Sequence, residues 1–442
     1  MAKLHGGKIR WLLVWWMFVL SAVAYMDRVN MAIAGKYIAS QFHFSNVQLG
    51  YVFSAFLVGY ALFQAPNGRL ADLWGPRKVL TLGVVWWGVF VTLMGLVPNG
   101  LGEALLVFML LQFLLGTGEA VVYPACNRTV ASWIPVPERG ISNGIIFAGV
   151  GFGAGITPPL VAWILTHWGW RAAFFTLAGV GLLAGLIWYW LSRDEPSQHP
   201  WISQKEAEWI ASGLDEPVKK ARLRWRTALS SRDVLALTFS YFTYGYVAYI
   251  FFSWFFLYLV NVRGLNLKTS AYYSMLPFFA MTAGSLIGGA ISDVTTRRMG
   301  RRFGRAGIAV IGMLLAAVFL ALGSHAQSAG LASVVLAGGA GTLYLSQSSF
   351  WSTTADVAGH YAGSVSGIMN MGNQIGGAIT ASLTPLIANR FGWNASFAVA
   401  AVLCVLGALA WLMVDPRRSL FVPQEENTVG SLSANPHSTT AD

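Results

Sequence analysis

Twelve long apolar stretches, joined by polar loops, restrict the folds open to this 442-residue sequence. About 20 mostly apolar residues suffice for an α-helix to cross the hydrocarbon core of a bilayer. A helix also satisfies its own backbone hydrogen bonds, which the membrane interior cannot do. The sequence therefore predicts an all-α, multi-spanning membrane protein with twelve transmembrane helices. The predicted spans are residues 11–35, 46–67, 79–98, 103–133, 140–166, 171–192, 233–261, 269–291, 306–324, 329–357, 361–388 and 393–415.

Two motifs occur twice along the chain. The loop after the second span, residues 68–78, has the sequence GRLADLWGPRK, and about 221 residues later GAISD begins at residue 289, followed by four arginines. The segment GWRAAF at 169–174 is similarly repeated as GWNASF at 392–397. Two sequence-related halves are typical of transporters, in which two helix bundles move against each other around a central site. The sequence thus predicts two pseudo-symmetric six-helix bundles.

A long polar segment separates the sixth span from the seventh. We expect an N-terminal bundle at 1–192, a linker at 193–232, a C-terminal bundle at 233–415 and a disordered tail at 416–442. Twelve spans place both termini on one side of the membrane. Of the 29 Lys and Arg residues, 23 lie outside the spans on that side and five on the other. By the positive-inside rule, we expect both termini and the linker to be cytoplasmic, in a plasma membrane or bacterial inner membrane.

The composition argues against several other classes of protein. Charged residues make up only 11% of the chain, against about 25% in soluble domains. The net charge of +11 collects in the loops of one side, so we expect no nucleic-acid partner. The two cysteines, Cys126 and Cys404, fall in apolar spans and fit neither a metal site nor a disulfide framework. The longest loop, about 40 residues, is too short for a soluble catalytic domain, so we expect no enzyme.

At this point the motifs resemble those of a known family. The loop at 68–78 resembles the signature between the second and third spans of the major facilitator superfamily. Other segments resemble its anion:cation symporter branch: 25–30 (YMDRVN), 60–68 (YxxxQxPxG), 118–124 (GEAxxxP), 138–140 (ERG), 158–160 (PPL) and 372–377 (GNxxGG). The resemblance covers residues 10 to 415 approximately. It implies a proton-coupled importer of hexuronates, aldonates, aldarates or other small organic acids, with no cofactor besides the proton.

Three charged residues in the N-terminal spans are the candidate centre. Arg28 lies well inside a span, where a charge is costly and needs a partner or a function. Its guanidinium can bind a carboxylate through two parallel hydrogen bonds, although it could instead extend to the headgroups. Asp27 and Glu119 are candidates for proton coupling, and the alternative for Glu119 is a permanent pair with Arg28. Related symporters commonly have an arginine where this chain has Gln112, so Glu119 is expected to lack its usual counter-charge.

Polar side chains in both halves extend this candidate site. Tyr123 and Asn127 follow Glu119 at helical spacing, on the same helix face. The spans of the C-terminal half contain no basic residue, which favours a hydroxylated monoanion over a dianion. Helix–helix hydrogen bonding and packing are the alternative roles for these groups. The predicted substrate-binding residues are Arg28, Tyr60, Gln64, Tyr123, Asn127, Tyr244, Trp351, Ser352, Asn370 and Asn373.

The repeated loops are predicted to control access rather than bind substrate. A carboxylate beside a basic loop can form salt bridges that hold one conformation, although a purely topological role is the alternative. The predicted gating residues are Arg69, Asp72, Arg77, Asp293, Arg297 and Asp356. The sequence thus predicts a monomeric secondary transporter that imports a small organic anion, with a sugar acid as the preferred class, together with protons. The alternatives are an exchanger or uniporter without proton coupling, and a non-transporting sensor on the same scaffold.

Overall fold

The computed structural model describes residues 9–214, 225–255, 258–259 and 262–420. Helices dominate these ranges, and no β-strand occurs within them. The helices are α1 (Ile9–Phe42), α2 (Asn46–Trp74), α3 (Pro76–Leu96), α4 (Ala104–Glu119), α5 (Val122–Trp133), α6 (Arg139–Leu191), α7 (Gln204–Gly213), α8 (Trp225–Ser230), α9 (Arg232–Ser253), α10 (Leu267–Met299), α11 (Ile308–His325), α12 (Ala329–Leu345), α13 (Gln347–Ala358), α14 (Ala362–Phe391) and α15 (Trp393–Trp411). Part of the predicted linker and the predicted disordered tail beyond residue 420 lie outside the described residues.

Within the described ranges, eleven helical segments are long and apolar enough to cross a membrane. One of them, Ala329–Phe391, runs for 63 residues and is interrupted by the 3₁₀ turn Gly359–Tyr361, so it makes two crossings. The long helix α6 also supplies two spans, Val136–Val161 and Trp163–Leu191. The prediction of an all-α fold with twelve membrane-spanning helices is therefore confirmed. Helices α1–α6 form the N-terminal half, and α9–α15 form the C-terminal half.

Glycines with positive φ recur at matching places in the two repeats. Gly75 (φ 89°) separates α2 from α3, and Gly300 (φ 85°) follows α10 at the corresponding point of the second repeat. Gly169 (φ 77°) bends α6, and Gly392 (φ 85°) separates α14 from α15. L-residues with side chains rarely adopt this conformation, whereas glycine does so without steric cost. The repeated sequence motifs therefore encode the same chain reversals in both halves.

Two predicted spans are each divided into two helices near their middle. The fourth span breaks at Ala120 and Val121, directly after Glu119. Pro124 explains this break, because it has no N–H and its ring clashes with the carbonyl four residues earlier. The tenth span breaks at Ser346, directly before Gln347. Both breaks lie beside residues of the candidate site, so the backbone is irregular where polar side chains face the interior.

Glycines bring the backbones of the two halves into direct contact at several places, and Gly68 and Gly289 mark two of them. A Cβ at Gly68 in α2 would clash with the carbonyl oxygen of Gly363 in α14. A Cβ at Gly289 in α10 would meet the carbonyl oxygen of Gly140 in α6 in the same way. Only hydrogen fits between these backbones, so the halves approach each other without intervening side chains. Both contacts lie toward the end of the bundles that also carries the start of α1 and helix α7, here called the terminal face.

The linker helix α7 is attached to the N-terminal half at the terminal face. Arg10 is 1% exposed, and its Nε and Nη2 donate to the two carboxylate oxygens of Glu138 at 2.9 and 3.2 Å. Its Nη1 donates to Glu206 of α7 at 3.3 Å. Trp209 of α7 also donates to Glu138, at 3.3 Å. One buried arginine thus joins the first helix, the loop before α6 and the linker.

Candidate functional site

Arg28 is held inside the bundle by three aromatic rings and one carboxylate. Its guanidinium carbon lies 4.6 Å from the ring centre of Tyr25, 5.1 Å from that of Phe56 and 4.3 Å from that of Tyr60. Its Nε donates to Oε1 of Glu119 at 2.6 Å. Cation–π contacts and a charged partner both offset the cost of removing a guanidinium from water. Arg28 is therefore an internal cation and does not extend to the lipid headgroups.

Glu119 occupies only part of the hydrogen-bonding edge of Arg28. A guanidinium can offer Nε and Nη2 side by side to the two oxygens of one carboxylate, as Arg10 does with Glu138. In Arg28 the Nη2 atom is buried and has no hydrogen-bond partner among the described residues. The side-on position is thus half filled, and an oxygen atom of a second anion could take the remaining half.

Glu119 has a counter-charge in Arg28, which comes from α1. Gln112 leaves Glu119 without a counter-charge on its own helix, and the pair with Arg28, which the sequence left open as the alternative, is formed in this conformation. Gln112 does lie beside the pair, since it borders the same cavity as Arg28 and Glu119. Asp27 also borders this cavity. It is 5% exposed, and neither of its carboxylate oxygens has a hydrogen-bond partner in the described part of the chain.

Two cavities adjoin this charged group. The side cavity has a volume of about 350 Å³ and contains Asp27, Arg28, Gln112 and Glu119 in its wall. The central cavity lies between the halves and has a volume of only about 20 Å³, which is room for about one water molecule. Six predicted substrate-binding residues meet around the central cavity: Tyr60, Tyr123, Tyr244, Trp351, Asn370 and Asn373. The structure therefore brings these six together but keeps the space between them closed.

Hydrogen bonds order the C-terminal wall of the central cavity. The hydroxyl of Tyr241 accepts from Nε2 of Gln347 and from Nε1 of Trp351, both at 2.9 Å. The hydroxyl of Tyr249 donates to Oε1 of Gln374 at 2.8 Å. The sequence-based selection of site residues omitted Tyr249. Tyr241 and Tyr249 are eight residues apart, so helical periodicity could have placed both on one face.

The other three predicted substrate-binding residues lie closer to the terminal face. Asn127 donates to Oγ1 of Thr354 at 2.9 Å, across the boundary between the halves. Ser352 accepts from Nδ2 of Asn143 at 3.1 Å, across the same boundary. Gln64 is fully buried, and its amide has no partner among the described residues. None of the three borders the side or the central cavity, and two of them connect the halves.

Asp72 joins the N-terminal half to the first turn of α14. Its carboxylate accepts from the backbone N–H of Gly363 at 3.1 Å and of Ser364 at 2.8 Å. It also accepts from the hydroxyl of Ser364 at 2.5 Å. The first N–H groups of a helix have no partners within the helix, and its N-terminus attracts negative charge. Asp72 therefore caps a helix that belongs to the opposite half.

Asp293 makes the reciprocal contact from the second repeat. Its two oxygens accept from the backbone N–H groups of Gly140 at 2.8 Å and Ile141 at 2.7 Å, in the first turn of α6. Arg305 donates to the same carboxylate at 2.9 Å. Each repeat thus contributes one carboxylate that caps a helix of the other repeat. The two caps close the terminal face symmetrically.

A chain of buried charges reinforces this closure. Asp356 in α13 accepts from Arg139 in α6 at 2.5 Å and pairs with Arg305 at 3.4 Å. Arg297 donates to the backbone carbonyl of Pro137, across the halves, at 3.0 Å. Asp356 thus pairs with Arg139, in the 138–140 motif, and with Arg305, three residues beyond the last of the four arginines that follow GAISD. The predicted gating residues Asp72, Asp293, Arg297 and Asp356 therefore all contact the opposite half.

The remaining two predicted gating residues differ in what they contact. Arg69 lies over the ring of Tyr361 at 5.3 Å, and so faces the other half. Arg77 instead stays within its own half, where its guanidinium lies 4.1 Å from the ring centre of Tyr189. Its backbone N–H donates to Asp194 at 2.9 Å. Arg77 therefore secures the start of α3 rather than the boundary between the halves.

The fold and the site together define a class of protein. Two repeated six-helix halves surround a cavity, contribute side chains to it from both sides, and are sealed at one face by contacts that could separate. This is the architecture of a membrane transporter that exposes its site to each side of the membrane in turn. Asp27, Arg28 and Glu119 lie at the side cavity. The charged residues that join the two halves lie at the terminal face.

Comparison with known proteins agrees with this class. The profile of the Major Facilitator Superfamily matches residues 17–381 and 367–437. A probable sulfoacetate transporter, SauU of Cupriavidus necator, is 32% identical over 95% of this chain and 97% of its own length. The probable galactarate/D-glucarate transporter GudP of Escherichia coli is 30% identical over 92% and 93%. The solved structure of the proton:xylose symporter XylE superposes with a TM-score of 0.73 at 14% identity, covering 91% of this chain and 95% of XylE.

The chain belongs to the Major Facilitator Superfamily. Membership places it among transporters rather than enzymes, as the sequence predicted. The likeness to XylE concerns the fold alone, because its sequence identity is low. SauU and GudP, which share a higher identity with this chain, are both named for organic anions, in agreement with the resemblance seen in the sequence.

Proposed function

We propose that this transporter takes up a small organic anion together with protons by alternating access. The observation that carries the proposal is the half-filled edge of Arg28, where Glu119 binds Nε and Nη2 is buried without a described partner. A substrate carboxylate that binds both nitrogens must displace Glu119. The displaced carboxylate then remains in a buried site, and a proton is the simplest replacement for its lost counter-charge.

The net charge of the site leads to the same conclusion, that binding of the substrate anion is coupled to uptake of a proton. With Asp27 and Glu119 both ionised and Arg28 protonated, the site carries a net charge of −1 before any substrate enters. Two like charges about 4 Å apart repel by roughly 4 kcal/mol at an effective dielectric constant of about 20. That repulsion corresponds to nearly three orders of magnitude in affinity. An anion therefore binds well only after at least one carboxylate takes up a proton, which is the basis of the coupling.

The closed face is proposed to be cytoplasmic. The linker and the basic loops lie at the terminal face, and the excess of Lys and Arg in these loops favours the cytoplasmic side. The proposed location is therefore a plasma membrane, or the inner membrane of a bacterium. In this orientation the structure is closed toward the cytoplasm, and substrate would arrive from the opposite side. We propose that the protein acts as a monomer, because each chain contains both halves.

A sugar acid is the proposed substrate class. Tyrosine hydroxyls and amides border the central cavity on the C-terminal side, and such groups can bind the hydroxyls of a sugar acid once the cavity widens. One relative is named for galactarate and D-glucarate. Growth of a transporter-deficient strain on hexuronates, aldonates, aldarates and sulfonates, with and without this chain, would test the class. Growth on sulfonates alone would contradict it.

The decisive experiment is the substitution Glu119→Gln in proteoliposomes. Glutamine resembles the protonated carboxyl but cannot release a proton. We expect the variant to lose pH-driven accumulation of labelled substrate and to keep counterflow, because counterflow needs only the loaded carrier to reorient. Glu103→Gln is a suitable control, since Glu103 is exposed at the start of the same helix.

The two assays also separate the alternatives. If accumulation survives in Glu119→Gln but is lost in Asp27→Asn, the coupling role belongs to Asp27. If accumulation survives in both variants, neither carboxylate is the coupling group. If the wild-type protein shows counterflow but no pH-driven accumulation, proton coupling is wrong and an exchanger or uniporter remains. If the wild-type protein shows neither accumulation nor counterflow with any organic anion, the transport proposal itself is wrong.

A further inference from the structure

The side cavity differs in character from the central cavity. Sixteen of its nineteen lining residues belong to the N-terminal half, and three belong to α9. Its volume of about 350 Å³ is within the range of small-molecule sites, roughly 300–1,000 Å³. The central cavity, at about 20 Å³, can hold no organic molecule in this conformation. An organic ligand that meets the protein in this state therefore encounters the side cavity first.

Most of the wall of the side cavity is apolar. Its apolar lining residues come from six helices and include Phe53, Leu57, Met94, Leu115 and Phe174. These side chains offer no hydrogen bonds to a hydroxylated ligand. A buried hydroxyl without a partner costs about 1–3 kcal/mol on the basis of protein mutational data. The wall thus disfavours a sugar and favours an apolar ring or branched alkyl group.

The polar end of the same cavity is suited to an anion. Arg28 borders the side cavity, and its Nη2 atom is buried without a described partner. Both polar atoms of the Asn30 amide are also buried without partners in the described ranges, and Asn30 borders the cavity as well. An oxyanion placed beside Arg28 would gain a charge-assisted hydrogen bond, and the amide of Asn30 is a further unpartnered polar group in the wall of the same cavity.

We propose that the side cavity binds monocarboxylates with an apolar body, such as arenecarboxylates, and that these ligands inhibit the transporter without being carried. Their carboxylate binds Arg28, and their ring lies against the apolar wall. The inhibition rests on the proposed role of Arg28 as the substrate's binding partner, because both ligands compete for the same guanidinium.

The lining explains why such a ligand is not carried. Tyr25, Tyr249 and Phe252 border both cavities and so separate one from the other. The rings of Tyr25 and Phe252 are 5.6 Å apart and join the two halves. A ligand changes a conformational equilibrium only by its difference in affinity for the two states. A ligand held almost entirely by one half gains little when the halves move, so it occupies Arg28 without promoting transport.

The direction of the pH effect follows from the groups that face the ligand. The charged groups of the side cavity are Asp27, Arg28 and Glu119, and the hydroxyls of Tyr25 and Tyr249 complete its titratable groups. Protonation of a carboxylate removes repulsion, so a carboxylate ligand binds more tightly as the pH falls. An apolar amine would pair with Asp27 instead and would bind more weakly as the pH falls. The pH dependence therefore distinguishes the two kinds of ligand.

The test uses the full-length protein in lipid nanodiscs and three probes of defined chemistry. These are 2-naphthoate, its neutral analogue 2-naphthalenemethanol and glucuronate, with binding measured by calorimetry at two pH values. We expect 2-naphthoate to bind at least 10-fold more tightly than the alcohol, and more tightly at the lower pH. Ala32→Phe fills the side cavity, which Ala32 borders, and should weaken 2-naphthoate at least 10-fold. Ala321→Phe, on an exposed face of α11, should leave binding unchanged.

Transport assays complete the test. We expect 2-naphthoate to inhibit uptake competitively and labelled 2-naphthoate not to be accumulated or exchanged. Equal binding of acid and alcohol, tighter binding of 2-naphthylmethylamine, unchanged affinity in a folded Ala32→Phe protein, or transport of 2-naphthoate would each overturn the inference. The calorimetric result does not depend on proton coupling, so it stands or fails separately from the outcome of Glu119→Gln.

Discussion

Replacing Asp72 by asparagine should open the terminal face. The carboxylate accepts three hydrogen bonds from the first turn of α14, two from backbone N–H groups and one from Ser364. Hydrogen bonds to charged groups contribute about 1.5–3 kcal/mol, against about 0.5–1.5 kcal/mol for neutral ones. Loss of the charge therefore costs roughly 1 kcal/mol per bond, or about 3 kcal/mol in total. The ratio of closed to open molecules should fall about 100-fold.

Distances between the halves measure this shift directly. Spin labels at Trp74 and Met299, which are 59% and 60% exposed at the ends of α2 and α10, report on the separation of the two halves at the terminal face. The native Cys126 and Cys404 are both buried and would be replaced. Pulsed electron–electron measurements should show a longer distance component in Asp72→Asn. Substrate affinity should change far less than the transport rate, because Asp72 borders neither the side nor the central cavity.

Asp194→Asn is the matched control for this experiment. Asp194 also accepts a backbone N–H in the first turn of a helix, from Arg77 at 2.9 Å. Arg77 belongs to the N-terminal half and Asp194 lies just after the end of α6, so the contact does not hold the two halves together. An unchanged distance distribution in Asp72→Asn, or an equal shift in Asp194→Asn, would refute the assignment of Asp72 to closure. A large loss of substrate affinity in a folded Asp72→Asn protein would do the same.

Two further predictions concern buried arginines. Arg28→Lys should lower substrate affinity about 10- to 100-fold, since an ammonium keeps the charge but loses the side-on geometry and the planar stacking. Uptake into vesicles measures this affinity. A normal value would show that Arg28 does not bind the substrate anion. Arg10→Gln should lower the free energy of unfolding by about 3–5 kcal/mol, because it leaves Glu138 and Glu206 without their shared cation. Denaturation in detergent measures this loss of stability. The control is Arg417→Gln, because the side chain of Arg417 is 61% exposed. An unchanged denaturation midpoint in Arg10→Gln would contradict the prediction.

The sequence predicted those features of the fold that depend on residues close to one another in the chain. Hydrophobic length located the spans, and the repeated motifs predicted that the halves correspond. The matching positive-φ glycines, Gly75 with Gly300 and Gly169 with Gly392, explain why. A chain reversal needs a particular backbone conformation, and glycine is the residue that tolerates it. Such requirements are visible in one sequence because they involve neighbouring residues.

Contacts between distant helices could not be predicted in the same way. The pairing of Arg28 with Glu119 joins residues 91 positions apart, and the sequence offered this pair only as the alternative to a role of Glu119 in proton coupling. Arg305 was overlooked for a similar reason, because it follows the recognised basic cluster by a few residues and acquires its role only by reaching Asp356. The division of the polar residues between two cavities likewise depends on packing, since helical periodicity gives a face but not the neighbour that covers it.

The glycine contact between α2 and α14 sets a steric threshold for closing. With hydrogen as the side chain, the backbone of Gly68 can reach the carbonyl of Gly363, and any larger group acts as a wedge. A single methyl group at either Gly68 or Gly289 should therefore hold the halves apart at the terminal face while every hydrogen-bonding group remains present. Such alanine variants would trap the opposite conformation for structure determination without removing any polar group. Conformation-selective antibodies raised against these variants should fail to recognise the closed form.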